Sequence, residues 1–183
     1  MTESKLAADS RSDSSNEASA AAAVEIATLA GGCFWGMEEI IREIPGIVDT
    51  TVGYTGGGTK NPVYETVKVG NTGHAESIEV KFDPSQISFH DLLSYFFRMH
   101  NPTTANRQGG DVGSQYRSAI FYHSETQKEV ALQVIQEFHK SKRFSAPIVT
   151  QVVPAKEFYS AESYHQDYLQ KNPGGYTCHI LRP

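Results

Sequence analysis

The chain has 183 residues, of which 39% are hydrophobic and 20% charged, and its formal net charge is −5. This length is enough for one domain with a substantial core. No basic stripe supports nucleic-acid binding, and no apolar run approaches the ~18 residues that a membrane span needs. Two cysteines are too few for a secreted disulfide framework and fit a reducing compartment.

The first 23 residues are rich in Ser and Ala and contain no aromatic residue. Such a segment buries too little apolar surface to offset its conformational entropy, so we predict a disordered tail at residues 1–23. It lacks the apolar segment of a secretory signal, and its acidic residues are atypical of a transit peptide. We therefore expect a cytoplasmic protein with a single folded domain over residues 24–183.

The rest of the chain alternates strand and helix patterns. The predicted strands are Val24–Ala30, Ile47–Tyr54, Glu65–Val69, Ser77–Phe82, Ser118–Tyr122 and Ile148–Val153. The predicted helices run from Cys33 to about Ile44, from an N-cap at Ser88 to Met99 and from an N-cap at Ser124 to about Lys142, followed by short helical pieces within Glu157–Gln170. This interleaving favours an α+β two-layer sandwich, a mixed or antiparallel sheet with helices packed on it.

Cys33 lies at the turn between the first strand and the first helix, in Gly31-Gly32-Cys33-Phe34-Trp35-Gly36. A helix N-terminus offers unpaired N–H groups and a partial positive charge, so we expect the pKa of this thiol to move towards neutrality. That effect is too small to ionise the thiol fully, and further activation must come from elsewhere. An ordinary buried cysteine, behaving as a small hydrophobe, is the alternative interpretation.

Three irregular loops each end at a polar or phenolic side chain. The glycine-rich loop 55–63 precedes Tyr64, the loop 70–73 precedes His74-Ala75-Glu76, and the segment 101–115 precedes Tyr116. Long loops without regular structure are uncommon in compact domains and are often functional. Each of these residues alone is also compatible with an ordinary half-buried or solvated side chain.

Cys178 follows Asn172-Pro173-Gly174-Gly175, and we expect residues 171–183 to be a mobile C-terminal segment. One reactive cysteine plus one mobile second cysteine is the arrangement of a thiol redox enzyme. A disulfide would require the segment to fold back over Cys33. The alternative is a spare exposed thiol. His165, in a polar and aromatic cluster, is a candidate base for Cys33.

The Gly31–Gly36 hexapeptide resembles the active-site signature of the peptide methionine sulfoxide reductase A (MsrA) family. The resemblance covers residues 26–180 in order. It continues through Gly53-Tyr54, Asn61-Pro62-Val63-Tyr64-Glu65, Gly73-His74-Ala75-Glu76, Gly110-Asp111-Val112-Gly113-Ser114-Gln115-Tyr116-Arg117-Ser118 and Tyr164-His165-Gln166-Asp167-Tyr168-Leu169. It implies an α+β, ferredoxin-like fold of the MsrA type and a thioredoxin-dependent peptide-methionine (S)-S-oxide reductase.

The resemblance also implies a role for each matching residue. Cys33 would be the nucleophile, Glu76 the proton donor, and Tyr64 and Tyr116 hydrogen-bond donors to the sulfoxide oxygen. Phe34 and Trp35 would form the apolar pocket for the methyl group, and Asp111 would belong to the polar rim that contacts the substrate backbone. Cys178 would be the resolving cysteine, and it would form a disulfide with Cys33.

By the same resemblance, the substrates are oxidised proteins and free methionine sulfoxide, and the activity repairs oxidative damage. Thioredoxin, or dithiothreitol in vitro, would be the reductant of a monomer that has no bound cofactor and no metal. A peroxidase or cysteine hydrolase that uses Cys33 with His165 is one alternative. A non-catalytic module that binds oxidised methionine is another, although binding alone would need neither cysteine.

Overall fold

The computed structural model of the protein describes residues 23–183, so the predicted disordered tail lies outside it except for the last residue of that tail. Across this described part, no helix combines the length and apolar character needed to cross a membrane.

The described strands and helices follow the predicted alternation. The strands are β1 (Glu25–Gly31), β2 (Ile47–Thr55), β3 (Ala75–Phe82), β4 (Arg107–Gln108), β5 (Asp111–Val112), β6 (Ser118–Tyr122), β7 (Gln151–Pro154) and β8 (Tyr159–Ser160). The helices are α1 (Phe34–Arg42), α2 (Tyr64–Val67), α3 (Phe89–Met99), α4 (Glu125–Lys140) and α5 (Tyr168–Lys171), and a 3₁₀ turn spans Ser114–Tyr116.

A mixed sheet with the strand order β7-β6-β1-β3-β2-β8 organises residues 23–183. β3 lies between β1 and β2 and is antiparallel to both, β6 is antiparallel to β1, and β7 is parallel to β6. The inner order β6-β1-β3-β2, with α1 and α3 in the two crossovers, is the split β-α-β arrangement of a ferredoxin-like fold. This confirms the predicted α+β class.

The helices pack on one face of the sheet. Leu29 and Ile78 from the sheet are fully buried in one core with Met37 from α1 and Leu92 from α3. The opposite face carries a smaller apolar cluster around Phe121. The core thus anchors α1 rigidly over β1 and β3, and it determines where the first residues of α1 lie.

The predicted N-caps of the two longer helices are confirmed. The Ser88 hydroxyl accepts the N–H of Asp91 at 3.0 Å, and the Ser124 hydroxyl accepts the N–H of Gln127 at 3.2 Å. The Gln127 side chain does not complete a capping box, because its Oε1 accepts the N–H of His123 instead. Both serines satisfy a donor that the start of a helix leaves unpaired.

The strand predicted at Glu65–Val69 is wrong, since the chain forms the helical turn α2 there. The Thr66 hydroxyl donates to the carbonyl of Val63 and accepts the backbone N–H of Val63, and these two bonds close the turn locally. A distant residue, Glu162, accepts the N–H of Tyr64 at 2.8 Å. Tertiary hydrogen bonding therefore overrides the β-propensity of this segment. The predicted helical pieces after Glu157 likewise begin with the strand β8.

Candidate active site

Strand register brings three separate loops to one end of the sheet. Leu29 pairs with Ile78, so the end of β1 lies beside the start of β3, and Cys33 emerges near Glu76. Gly31 also pairs with Ser118, so the segment that precedes β6 reaches the same end of β1. The sheet therefore places together residues that are far apart in the sequence.

A cavity of about 120 Å³ lies at this end of the sheet. It is lined by Cys33, Phe34, Trp35, Tyr64, Glu76, Asp111, Tyr116 and Tyr176. Seven of these eight residues were singled out from the sequence, and the structure places all seven around the same cavity. Larger cavities elsewhere in the described part do not contain a cysteine.

Cys33 occupies the N-cap position of α1 and is only 7% exposed. Burial raises the pKa of its thiol far above the usual range, and the nearby Glu76 adds to this shift. A hydrogen bond from the backbone N–H of Trp35 lowers this pKa, but its effect is smaller than that of burial. The expectation that the helix N-terminus moves this pKa towards neutrality is thus wrong, because burial outweighs the helix N-terminus and the thiol keeps its proton.

Glu76 is the buried acid of the cavity, with 3% of its surface exposed. Its Oε2 accepts the backbone N–H of Phe34 at 3.2 Å. Burial raises the pKa of Glu76 to about 8, and the charge of Asp111 adds to the shift, while the hydrogen bond from Phe34 opposes it. A carboxyl group with this pKa is largely protonated at pH 7 and can act as an acid there.

Phe34 and Trp35 form an apolar wall that is supported from behind. The Trp35 ring stacks on Tyr168, with centroids 3.7 Å apart and planes at 8°. The indole Nε1–H donates to His165 Nδ1 at 2.9 Å, and the Phe34 ring lies 5.2 Å from the same imidazole. These contacts fix both rings in place.

Two tyrosines face the acid across the cavity. Burial raises the pKa of both Tyr64 and Tyr116, and the charge of Glu76 contributes to each shift. Both phenols therefore keep their protons and are available as hydrogen-bond donors. A ligand oxygen close to the protonated Glu76 would meet O–H donors on more than one side.

The C-terminal segment folds back over the cavity and brings the second cysteine to it. Cys178 Sγ lies 3.7 Å from Asp111 Oδ2, and the Tyr176 hydroxyl donates to the same oxygen at 3.2 Å. Burial and Asp111 raise the pKa of Cys178, whereas a hydrogen bond from the backbone N–H of Cys33 lowers it. Both cysteines are free thiols in this state.

Sequence reasoning missed three contributors to the site. Tyr176 lines the cavity, Tyr168 stacks on Trp35, and His179 packs against the signature glycines. The available signal for Tyr176 and His179 was their closeness in sequence to Cys178. His165 was considered as a base for Cys33, but its Nδ1 accepts the Trp35 N–H instead.

Within residues 23–183, no group of three or more His, Cys, Asp or Glu side chains is arranged to hold a metal ion.

Comparison with known proteins identifies related chains over almost the whole described part. The family model described as peptide methionine sulfoxide reductase matches residues 25–183. A protein of Mycobacterium sp. (strain JLS) named peptide methionine sulfoxide reductase MsrA is 54% identical over 157 residues, which are 86% of this chain and 90% of that protein.

Solved structures agree with this match. Mxr1 from Saccharomyces cerevisiae in its reduced form superposes with a TM-score of 0.83 at 41% identity, covering 87% of this chain and 93% of that one. Mxr1 in complex with Trx2 superposes with a TM-score of 0.60 at 29% identity, covering 87% of this chain and 91% of that one.

Proposed function

Because this chain belongs to the peptide methionine sulfoxide reductase family, we propose that it reduces methionine-S-sulfoxide, free or in proteins, to methionine. One enzyme serves each sulfoxide epimer, and the resemblance to MsrA assigns the S epimer to this chain. The observation that carries the proposal is the presence of a cysteine thiol and a protonated buried carboxyl group in one small cavity. Such an activity repairs oxidised methionine residues.

The chemical step needs an acid because sulfoxide oxygen is a poor leaving group. Glu76 donates its proton to that oxygen, and Tyr64 and Tyr116 hydrogen-bond to it. Protonation makes the sulfur open to attack by Cys33, and the resulting Glu76 carboxylate takes up the thiol proton. Attack forms a sulfur–sulfur bond, and as the hydroxyl group passes from the substrate sulfur to the Cys33 sulfur, this bond and the substrate sulfur–oxygen bond both break. The products are methionine and a sulfenic acid on Cys33, so the two-electron reduction of the sulfoxide is balanced by oxidation of the cysteine.

The raised pKa of Cys33 agrees with this order of events. A thiol that stays protonated until the substrate binds resists oxidation by other agents, because the thiolate is the reactive form. Positive charge that develops on the protonated sulfoxide then favours loss of the thiol proton. The substrate itself thus supplies the activation that the helix N-terminus alone does not.

Substrate specificity rests on the two sides of the cavity. Phe34 and Trp35 enclose the methyl group of the substrate on the apolar side of this cavity of about 120 Å³, and the sulfoxide oxygen faces its polar side. Asp111, on the rim, accepts a hydrogen bond from the substrate backbone. This division accounts for recognition of methionine sulfoxide both free and within a polypeptide.

Recycling uses the second cysteine. Cys178 attacks the sulfenic acid of Cys33, water is released, and a Cys33–Cys178 disulfide forms. Thioredoxin then reduces this disulfide, and dithiothreitol replaces it in vitro. The complex of the relative Mxr1 with Trx2, a thioredoxin, supports the choice of reductant. Two cysteines in the chain are too few for a secreted disulfide framework, and we propose that the protein acts in the reducing cytoplasm.

The competing use of His165 as a base for Cys33 in a hydrolase or peroxidase receives no support from the hydrogen bonds. The Nδ1 of His165 accepts the Trp35 N–H, and burial lowers the pKa of the ring. We further propose that residues 24–183 act as one catalytic domain in a monomer, with no bound cofactor.

The decisive experiment gives the purified protein separated S and R epimers of a methionine sulfoxide peptide, with dithiothreitol, and measures methionine by chromatography. We expect methionine from the S epimer alone, and none from the Cys33→Ser variant. Saturable binding of the S epimer without product would overturn the proposal in favour of a binding module. Thioredoxin-driven turnover of hydrogen peroxide, without turnover of either epimer, would favour a peroxidase.

The role of Cys178 is tested by changing the reductant. With no reductant, Cys178→Ser should form about one methionine per protein and then stop. With thioredoxin it should not recycle, whereas dithiothreitol should restore turnover because a small thiol reduces the sulfenic acid directly. Thioredoxin-driven turnover of Cys178→Ser at the wild-type rate would remove Cys178 as the resolving cysteine.

A further inference from the structure

His179 directly follows the proposed resolving cysteine, and it places its ring nitrogen Nδ1 beside the sulfur of Cys178. His179 is 4% exposed, and its Nε2 lies 2.8 Å from the carbonyl oxygen of Gly31. A carbonyl only accepts, so Nε2 must carry the proton and donate it. In the neutral ring Nδ1 then has a free lone pair, and it lies 3.5 Å from Cys178 Sγ.

Tertiary contacts of the C-terminal segment hold His179 in this position. A Cβ on Gly36 would lie 2.7 Å from His179 Nδ1 and would overlap the Thr177 hydroxyl, so this segment packs directly on α1. Beyond it, the backbone N–H of Arg182 donates to the Arg98 carbonyl at 3.0 Å, and Arg182 Nη1 donates to the His100 carbonyl at 2.8 Å. The segment is therefore held on both sides of the Cys178–His179 pair.

The charges around the pair keep the imidazole neutral and the thiol protonated before reaction. Burial lowers the pKa of His179, Arg182 lowers it further, and Asp111 raises it. Burial lowers the pKa of the neighbouring His100 to about 3, so that ring is neutral as well. Burial raises the pKa of Cys178. The thiol consequently needs a base at neutral pH, and one lies within reach.

We propose that His179 is a catalytic residue of the recycling step, in which its Nδ1 removes the thiol proton as Cys178 Sγ attacks the sulfenic sulfur of Cys33. This proposal rests on the proposed function. A sulfur–sulfur bond forms, the sulfur–oxygen bond of the sulfenic acid breaks, and the departing hydroxide takes the proton from the imidazole and leaves as water. Cys178 is oxidised, the sulfenic sulfur is reduced, and no further reactant is needed.

Asp111 also lies near the Cys178 thiol, but it assists His179 and does not act as the base itself. Its Oδ2 is the other acceptor near Cys178 Sγ, at 3.7 Å. Its negative charge opposes formation of the thiolate, whereas it stabilises the imidazolium that forms when His179 takes the proton. The carboxylate thus favours transfer of the proton to His179 over simple ionisation of the thiol.

The test separates the two half-reactions in His179→Gln, because a glutamine amide retains an N–H donor for the Gly31 carbonyl but provides no base. Reduced protein is mixed with one equivalent of S-sulfoxide peptide without reductant. Methionine reports the first step, and alkylation followed by mass spectrometry reports the disulfide. His90→Gln is the matched control, since His90 is partly exposed on α3, where its ring nitrogen bonds to Glu137.

We expect His179→Gln to form methionine at the wild-type rate and to form the disulfide about 10²-fold more slowly at pH 7. The ratio of wild-type to variant disulfide rates should fall about tenfold per pH unit above pH 7, as Cys178 begins to ionise unaided. Wild-type disulfide rates in the variant would overturn the proposal. A slowed rate with a ratio independent of pH would also overturn it, because it would indicate a structural role.

Failure of the proposed function would look different, since wild-type protein would then form no methionine. Should His179→Gln itself not form methionine, His179→Ala with added imidazole provides the second measurement. Imidazole should restore disulfide formation in that variant, and no restoration would overturn the proposal.

Discussion

The Trp35 indole N–H donates a 2.9 Å hydrogen bond to Nδ1 of His165, a residue 130 positions later in the chain. This bond fixes the apolar wall of the cavity, and it also determines the tautomer of His165, whose Nε2 must carry the proton. Within residues 23–183 that Nε2 has no hydrogen-bond partner, and a carboxylate oxygen of Glu162 lies 3.9 Å away. His165 is therefore a positioning residue for Trp35.

His165→Phe should weaken substrate binding more than it slows chemistry. Phenylalanine keeps the aromatic packing but leaves the Trp35 N–H without an acceptor, which costs ~1–3 kcal/mol. We expect about a tenfold higher KM with kcat little changed. Because Trp35 is the sole tryptophan of the chain, its fluorescence should also change. An unchanged KM and emission spectrum would contradict the positioning role.

The reduction rate should fall as the pH rises through about 8, because Glu76 then loses the proton that the sulfoxide oxygen needs. Glu76→Gln should reduce the rate at pH 7 by ~10²–10⁴-fold and should abolish the alkaline decline. Single-turnover methionine formation between pH 6 and 10 measures both effects. Glu79→Gln on the same strand is the control, and a Glu76→Gln rate equal to that of the wild type would remove Glu76 as the acid.

Glu76 should also make the protein less stable as the pH rises. Its pKa in the folded state, about 8, lies above the ordinary value of 4.5, so between these values the folded state binds more protons than the unfolded state. The free energy of unfolding then falls with pH, by up to ~1.4 kcal/mol per unit from this group. Urea unfolding at pH 5 to 8 should show a smaller slope in Glu76→Gln than in wild type. Equal slopes would mean that Glu76 is ionised in the folded protein at pH 7.

Gly36→Ala should uncouple the two half-reactions. Alanine favours a helix by ~1 kcal/mol over glycine, but here its Cβ would collide with Thr177 and His179. We expect methionine formation to persist while disulfide formation slows at least about tenfold. Gly58→Ala is the matched control, because among the described residues an added Cβ there would meet no atom within 4 Å beyond its chain neighbours. Undiminished disulfide formation in Gly36→Ala would show that recycling does not depend on the packing of the C-terminal segment against Gly36.

The elements whose signal is local were predictable. The Ser88 and Ser124 caps and the alternation of β3 each depend on residues within a few positions of one another. The helical turn α2 was not predictable, because the N–H of Tyr64 is held by Glu162, 98 residues away. The pKa of Cys33 was predicted in the wrong direction, because burial depends on what packs over the helix terminus.

The sequence by itself determined the fold class, the family and the residue types of the site, since these follow from periodicity, capping and short motifs read along the chain. The resemblance already implied a Glu76 that holds its proton, and the structure supplies the burial that raises its pKa; only the tertiary structure decided that His165 supports Trp35 and that His179 faces Cys178. Burial and long-range hydrogen bonds set protonation states and side-chain directions, and both exist only once the sheet has aligned its strand ends and the C-terminal segment has packed on α1.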